Sequence, residues 1–595
     1  MSADELVGIW ADLVIDGFAA AGVREVVVAP GSRSTPFALA ALRHSKLRCH
    51  SVIDERSAAF FAVGQARITD APTLVVATSG TAGAHFFPAV VEASASAIAL
   101  LLLTADRPRE LHDCGAPQTT DQLHLFGRFV RRFVDLGEPV AQEASLRAVH
   151  RRSAQAALTA RGPLPGPVHI NAPVAKPLEP RAPSSHAGQR LAEIAARIRD
   201  EVPVAAPPAP PIPSATCLDA VALDLATAER GLIFCGALPA SVSHSEIHAL
   251  ARQTGIPLVA EVTSQLRFSA PGVGLCDTIE ALMLSPEPGH TPQPDVVLQI
   301  GAAPLSPAWG PVLERARTHV LHPHLWADPS QSARSVAVGD VAQAVQALRD
   351  RIGAPSDVTQ RARRSWGHAL GLACRDAWRA VERTVEEAAP ASLSEARIVQ
   401  QVVSALPEGS ALAVGNSLVV RELDRFTRAW TTPHPVVAQR GVNGIDGLVS
   451  AAAGVASVHA EVFLLLGDVS FVHDLGGLWS AARTSGCLVI VVVNNRGGRI
   501  FEQLPIRQAA SPAELEFWTT PHRLDLGHAA KLFGIEFSRA ATPTDLEAAL
   551  AAARARCGCT LIEALVSPED PVESLARLRR NLLEEVDATK LKALR

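Results

Sequence analysis

Tyrosine is missing from this 595-residue chain, methionine occurs twice, and aromatic residues make up only 4% of it. The apolar content rests instead on Leu, Val and Ala, a coding bias from which no function is drawn. Long hydrophobic runs are also missing. The longest strongly apolar stretch, residues 97–103, is far short of the roughly 20 residues a membrane-spanning helix needs. Basic residues are not in excess, with 55 Lys and Arg against 60 Asp and Glu, which speaks against nucleic acid as a partner. The nine cysteines are odd in number and form no C-x-x-C pair. Cys557-Gly558-Cys559 is too close-set and isolated for a zinc site, so the cysteines read as reduced core residues. No G-x-G-x-x-G follows the first expected strand, where Gly31-Ser32-Arg33 stands, and this argues against a nicotinamide dehydrogenase. Asp4 and Glu5 precede an amphipathic stretch (Leu6, Ile9, Trp10, Leu13, Val14), a poor match to a signal peptide, so a cytoplasmic protein is expected.

What is present is a long alternation of strand and helix signals. The length exceeds one hydrophobic core and predicts about three or four domains. Strands are expected at 25–29, 49–53, 74–77, 98–104 and 168–170, with helices starting at Pro36, Glu55 and Thr81. Six prolines within 202–213 mark a semi-rigid extended linker after a charged helical stretch. A second alternation follows, with strands at 231–235, 258–261, 296–300 and 320–322 and a closing helix at 341–352. A third has strands at 411–414, 436–438, 462–466, 488–493 and 560–564. The expected fold class is α/β, with three doubly wound parallel-sheet domains. The expected bounds are 1–185, a linker over 186–214, a central domain over 215–355, a helical connector over 356–388, and a last domain over 389–595.

Residues 462–497 carry the sharpest signal. Two apolar runs, Val462 to Leu466 and Cys487 to Val493, end in Gly467-Asp468 and in Asn494-Asn495-Arg496-Gly497. A crossover helix over 475–484 would make them neighbouring parallel strands, placing Asp468 and Asn495 at one carboxyl edge, where open α/β sheets bind ligands. A carboxylate, an amide oxygen and a backbone carbonyl of the Gly-rich turn form an all-oxygen set suited to Mg²⁺ shared with a diphosphate. An Asp after a strand is also commonly a plain helix N-cap.

With Asp468 and Asn495 separated by 27 positions, this pair resembles the diphosphate–metal motif of thiamin diphosphate enzymes. The segment Ser51-Val52-Ile53-Asp54-Glu55-Arg56 resembles the same family's pyrimidine-contacting glutamate, and Glu55 is then the expected catalytic and cofactor-binding carboxylate, acting on N1′ of the aminopyrimidine. Further segments are similar to the 2-succinyl-5-enolpyruvyl-6-hydroxy-3-cyclohexene-1-carboxylate synthase family of menaquinone biosynthesis. They are residues 29–36, Thr78-Ser79-Gly80-Thr81-Ala82, Thr104-Ala105-Asp106-Arg107-Pro108, Asp113 to Gln118, Gly415 to Arg421, Arg440 to Gly447 and Asn495 to Phe501.

The resemblance implies a pyrimidine-binding first domain, a diphosphate-binding last domain, and decarboxylation of 2-oxoglutarate followed by Stetter-type 1,4-addition of the succinyl-semialdehyde unit to isochorismate. It implies thiamin diphosphate with Mg²⁺ or Mn²⁺, held by Asp468, Asn495 and Gly497 at the metal and by Glu55, Ser417, Ile445, Gly467, Asp468, Val469, Ser470, Asn495 and Gly497 around the cofactor. Ile445 would prop the bent cofactor. Both substrates carry two carboxylates, which suits the planar forks of Arg33, Arg107, Arg421 and Arg440. Ser32, Gln118 and Asn416 would orient the substrates, and Ile500 and Phe501 would wall the pocket. In this fold class Glu55 of one subunit faces Asp468 of another, so a homodimer, and as an assembly a homotetramer, is expected. The match departs in the central domain: where family members often carry a Lys-Arg pair, this chain has Leu305-Ser306-Pro307-Ala308-Trp309. Two alternatives stay open, an acetohydroxyacid synthase-like decarboxylase or carboligase and a non-catalytic cofactor-binding protein.

Overall fold

Uninterrupted Val, Ile and Leu runs suit strands covered on both faces, and each run read above lies in a parallel sheet of the computed structural model. It describes residues 1–201, 206, 209–269, 275–388, 392–430 and 432–587. Most of the proline stretch of the expected linker, 202–205 with 207 and 208, lies outside the described residues. The described residues group into two units. One comprises Met1–Ala209, Gln439–Val458 and His473–Ser485, and the other Pro210–Ala438, His459–Val472 and Gly486–Arg595.

The first unit holds six strands: β1 (Glu25–Val28), β2 (Arg48–Ser51), β3 (Thr73–Ala77), β4 (Leu100–Asp106), β5 (Arg132–Asp135) and β6 (Pro167–Pro173). Their order is β2-β1-β3-β4-β6-β5, all parallel. Val26, Val28, Leu74, Val76, Leu101 and Leu103 form one core with the helices Ala3–Ala20, Glu143–Arg161 and His186–Asp200. The helix Glu55–Thr69 packs on β1 and β3 and on the helix Leu448–Ala456. Two glycines set that helix contact: a Cβ at Gly64 would stand 2.0 Å from Ala451 O, and one at Gly454 1.9 Å from Phe61 O. Gln65 Nε2 donates to Ser457 Oγ at 2.8 Å beside them.

The second unit holds two sheets. The central one runs β11-β10-β9-β7-β8, from β7 (Gly231–Cys235), β8 (Leu258–Ala260), β9 (Val296–Ile300), β10 (Arg317–His322) and β11 (Ser335–Val338). The other runs β13-β12-β14-β15-β17-β16, from β12 (Ala411–Val414), β13 (Val436–Ala438), β14 (Glu461–Gly467), β15 (Cys487–Asn494), β16 (Glu536–Ala540) and β17 (Cys559–Leu565). One core joins them through Trp366, Leu370, Ala373, Ala377 and Val381 of the helix Asp357–Glu386, which is the expected connector.

Three strands lack a signal in the sequence, β5, β11 and β16, and each is a sheet edge. These three are largely half-exposed or exposed and form no long apolar run. The crossover expected as one helix over 475–484 is instead broken. A helix Asp468–His473 starts at the strand end itself, followed by a 3₁₀ turn Leu475–Gly477 and a short helix Leu478–Ala481. Gly476-Gly477 disfavours a continuous helix, and a Cβ at Gly477 would stand 2.7 Å from Ser450 N. Asp474 before this turn is wholly buried and accepts from Ser450 N at 2.7 Å and Ser450 Oγ at 3.1 Å.

Two outcomes follow from the first unit. Gly64→Ala presses a methyl into the Ala451 carbonyl, and thermal or urea unfolding should show a loss of about 2–3 kcal/mol; an unchanged midpoint would contradict the packing. Burial pushes Asp474 from its ordinary 3.8 up to about 6, so its ionisation disfavours the fold. Stability from this group is present below the unfolded value and lost as pH rises to about 6. The unfolding free energy of Asp474→Asn minus that of the wild type should therefore grow by about 3 kcal/mol between pH 3.5 and 7. A pH-independent difference would refute it.

Candidate active site

In an open parallel sheet the crevice lies at the carboxyl ends of the strands where the order reverses. In the last sheet that point is between β12 and β14, and in the first sheet between β1 and β3. The expected site residues stand at these two places and at the strand ends beside them.

In the second unit, β14 and β15 pair with Gly467 opposite Val493, which brings Asp468 and the Asn494-Asn495 turn to one edge. A Cβ at Gly467 would meet nothing within 4 Å, so the space beside it is open. Asp468 is 2% exposed. Its Oδ1 accepts from Val469 N at 2.7 Å, and its Oδ2 accepts from Gly497 N at 2.9 Å and contacts His522 Nε2 at 3.1 Å. Burial holds this carboxyl above its ordinary range, against the opposing His522 imidazole and the two N–H groups. Ser470, two residues on, is buried and Val469 half-buried.

The turn after β15 is shaped by backbone sterics. Arg496 lies at φ +61° and Gly497 at φ +141°, and a Cβ at Gly497 would stand 2.3 Å from Thr519 O. Only glycine fits there. Asn494 Nδ2 donates to Glu563 Oε1 at 2.7 Å and faces the sheet. Asn495 Nδ2 donates to Glu395 Oε1 at 2.6 Å, while Asn495 Oδ1 is buried without a partner. Ile500 and Phe501 follow, half-buried, in the 3₁₀ helix Arg499–Gln503. Arg496 is exposed, and nothing in the structure explains its presence.

At the end of β12 the backbone of Gly415 passes so close to β14 that a Cβ would stand 2.8 Å from Leu466 Cβ. Asn416 is buried, and Ser417 adopts φ +68°, ψ −127°, a conformation that costs a non-glycine residue about 1–3 kcal/mol. Ser417 O accepts from Arg421 Nη1 at 2.6 Å across the first turn of the helix Leu418–Phe426.

In the first unit Glu55 opens the helix Glu55–Thr69, whose N-cap Asp54 accepts from Ser57 N at 3.0 Å. Glu55 is half-buried. At the β1/β3 crevice a Cβ at Gly31 would collide with the Thr78 side chain, and Arg33 N donates to Thr78 Oγ1 at 3.2 Å. Ser32 is exposed, whereas Arg33 is 2% exposed, with Nη1 donating to Val174 O at 2.5 Å and Nε buried without a partner. Ser79 and Gln118 lock together: Ser79 Oγ donates to Gln118 O, and Gln118 Nε2 to Ser79 O, each at 3.1 Å. Arg107 reaches the same segment, donating to Pro117 O at 3.1 Å. It borders a cavity of about 560 Å³ with Asp106, His112, Thr120 and Asn171.

Arg440 and Ile445 lie on a loop of this same unit. Gly441 N and Val442 N donate to the two oxygens of the buried Glu92 at 3.1 and 2.9 Å, and Gln439 Nε2 donates to Gly447 O at 3.1 Å. Gly447, at φ +67°, sits on the Phe60 ring. Ile445 is held half-buried between these anchors.

The structure thus brings together Ser32, Arg33, Arg107 and Gln118 at the first crevice and Asn416, Ser417, Arg421, Asp468 and Asn495 at the other, each set within its own unit. Burial and the neighbouring Glu422 and Asp570 carboxylates push Glu395 well above the usual carboxylate range. Glu395, Glu92 and His522 were not read from the sequence, because each is a lone polar residue whose partner lies far along the chain. In the segment that lacks the Lys-Arg pair, Trp309 is buried on Phe234, with ring centroids 4.9 Å apart, and its Nε1 donates to Glu280 at 3.2 Å. Arg267 of the same unit is buried on Asp424 and supplies no exposed cation.

The donor set fits a divalent cation carrying a diphosphate. An orphaned amide oxygen, a buried carboxylate and the carbonyl of a tightly turned glycine are hard oxygen donors, and the open space at Gly467 leaves room for an anion.

Comparison with known proteins agrees with this geometry. The thiamine pyrophosphate enzyme N-terminal TPP binding domain matches residues 10–125, and the C-terminal TPP binding domain matches residues 421–564. A 2-succinyl-5-enolpyruvyl-6-hydroxy-3-cyclohexene-1-carboxylate synthase of Sorangium cellulosum (strain So ce56) is 42% identical, covering 99% of this chain and 97% of its own. Proteins of the same name from Myxococcus xanthus (strain DK1622) and Geobacillus kaustophilus (strain HTA426) are 39% and 38% identical, covering 92% and 89% of this chain and 93% and 90% of their own. With both cofactor domains matched and this identity sustained along almost all its length, the chain belongs to the 2-succinyl-5-enolpyruvyl-6-hydroxy-3-cyclohexene-1-carboxylate synthase family of thiamine pyrophosphate enzymes.

Proposed function

We propose that this protein decarboxylates 2-oxoglutarate and adds the remaining four-carbon unit to isochorismate, giving 2-succinyl-5-enolpyruvyl-6-hydroxy-3-cyclohexene-1-carboxylate and CO₂, with thiamin diphosphate and Mg²⁺ or Mn²⁺. The observation that carries the cofactor assignment is the unpartnered, buried Asn495 Oδ1 beside Asp468 and the Gly497 turn. The relatives' shared name supports the substrates. Thiamin diphosphate, when bound, would supply a nucleophilic carbon and a cationic thiazolium ring able to take up the electron pair released with CO₂.

The chain's own residues bind, orient and handle protons. Asp468, Asn495 and Gly497 hold the cation, and Gly467, Val469, Ser470 and Ser417 border the diphosphate and thiazolium. Glu55 would hold and exchange a proton at N1′ of the aminopyrimidine, and Ile445 would support the cofactor. Arg33, Arg107, Arg421 and Arg440 neutralise substrate carboxylates, Ser32, Gln118 and Asn416 orient them, and Ile500 and Phe501 exclude water. Residues 1–185 form the pyrimidine-binding domain and 389–595 the diphosphate-binding domain, with the central domain over 215–355 between them along the chain. The working unit is a homodimer, assembling further to a homotetramer, in which Glu55 of one subunit serves the diphosphate site of the other. The place of action is the cytoplasm; among the described residues no helix is long and apolar enough to cross a membrane.

Purified protein supplied with thiamin diphosphate, Mg²⁺, 2-oxoglutarate and isochorismate should consume isochorismate and release CO₂, and Glu55→Gln should lower kcat about 10²–10⁴-fold. Turnover of pyruvate with a second oxo acid, and none of isochorismate, would sink the assignment. Mixing Glu55→Gln chains with Asp468→Ala chains should restore activity in one of the hybrid's two sites. Inactive hybrids would contradict a site shared between subunits.

A further inference from the structure

We infer that Glu395 is a positioning residue that decides which atom of the Asn495 amide faces the cation. This rests on the cation site proposed above. A side-chain amide has an NH₂ end that only donates and an oxygen that only accepts, and only the oxygen ligates a cation. The two ends are nearly equal in size, so packing alone does not choose between them. In the structure the choice is made by a hydrogen bond. Asn495 Nδ2 donates to Glu395 Oε1 at 2.6 Å, which leaves Oδ1 as the buried, unpartnered atom. The exchanged amide would bring Oδ1 against Oε1, the oxygen that accepts in this contact, and turn its NH₂ toward the cation.

Glu395 is itself held from behind. It opens the helix Glu395–Ala405, whose N-cap Ser394 accepts from Arg397 N at 3.2 Å. Its own N–H donates to Asp570 Oδ2 at 2.9 Å, and Asp570 Oδ1 accepts from Ser574 Oγ at 3.0 Å. Glu395 and Asn495 are 3% and 6% exposed, so solvent cannot readily take over the bond. The chain of contacts runs from the last helix, Asp570–Glu585, through Glu395 to Asn495. Partners of metal ligands that fix orientation in this way typically change metal affinity about 10–100-fold when removed.

The test is a titration of Mn²⁺ into the full-length protein at saturating thiamin diphosphate, with free Mn²⁺ read by electron paramagnetic resonance. Glu395→Leu should weaken Mn²⁺ binding about 10–100-fold, while Glu395→Gln, which keeps a carbonyl oxygen toward Nδ2, should stay near wild type. A folded Glu395→Leu protein with wild-type affinity overturns the inference, as does one that only loses thermal stability. Should that variant fail to fold by circular dichroism, Asn495→Asp is compared with the double variant Glu395→Gln/Asn495→Asp. In the single variant two carboxyl groups face each other, and in the double an amide at position 395 can donate to the carboxylate at 495. The double should bind Mn²⁺ at least about tenfold more tightly, and equal affinities overturn the inference. Asp468→Ala separates the two levels. Mn²⁺ binding that survives it sinks the cation site itself, whereas binding lost there but unchanged in Glu395→Leu removes only the role of Glu395.

Discussion

The hydrogen bond from Gly497 N to Asp468 Oδ2 ties the ends of two neighbouring parallel strands, and the site in the second unit is arranged around it. It forms because β14 and β15 are in register to their last residues and because the chain after Asn495 turns through a backbone conformation that only glycine accepts beside the Thr519 carbonyl. A side chain at position 497 would push the turn outward and part Asp468 from Asn495. Open space lies beside Gly467, and Ser417 on the adjoining strand end is strained. Backbone sterics at three turns, more than any one side chain, hold the oxygens together.

Charge is the second constraint. Asp468, Glu395, Glu422 and Asp570 are all buried in the second unit, and each is pushed upward by burial. Arg425, which pairs with Glu422 at 3.1 Å, compensates only part of this. Buried carboxylates without cations are costly, and a divalent ion at Asn495 Oδ1 would offset that cost. In the first unit the imbalance is reversed at Arg33, a buried guanidinium whose Nε has no partner. The buried carboxylates of the second unit suit a cation–diphosphate, and the guanidinium of Arg33 in the first unit, with its Nε unpartnered, suits a carboxylate.

Much of the fold was legible because a strand buried on both faces must be apolar throughout. The runs at Val462 to Leu466 and Cys487 to Val493 left no other assignment, and the glycines and polar residues that end them marked the carboxyl edges. Three of the six edge strands escaped: β5, β11 and β16 are largely half-exposed or exposed, and no long apolar run marks them. The crossover after Asp468 was misread because small residues are compatible with a helix, while Gly476-Gly477 serves a close approach to Ser450 that no local pattern announces.

By itself the sequence determined the parallel α/β class, the strand ends that bear Asp468, Asn495 and Glu55, and the family to which those motifs belong. These are local properties, fixed by hydrophobic runs and by residues a few positions apart. Only the tertiary structure decided that Glu395 faces Asn495 across 100 positions, that Glu92 holds the Arg440–Val442 loop, and that Trp309 fills the place where a cation was looked for. Those contacts depend on where helices from distant segments come to rest against a sheet. That outcome is set by the packing of the whole core, which no short stretch of sequence encodes.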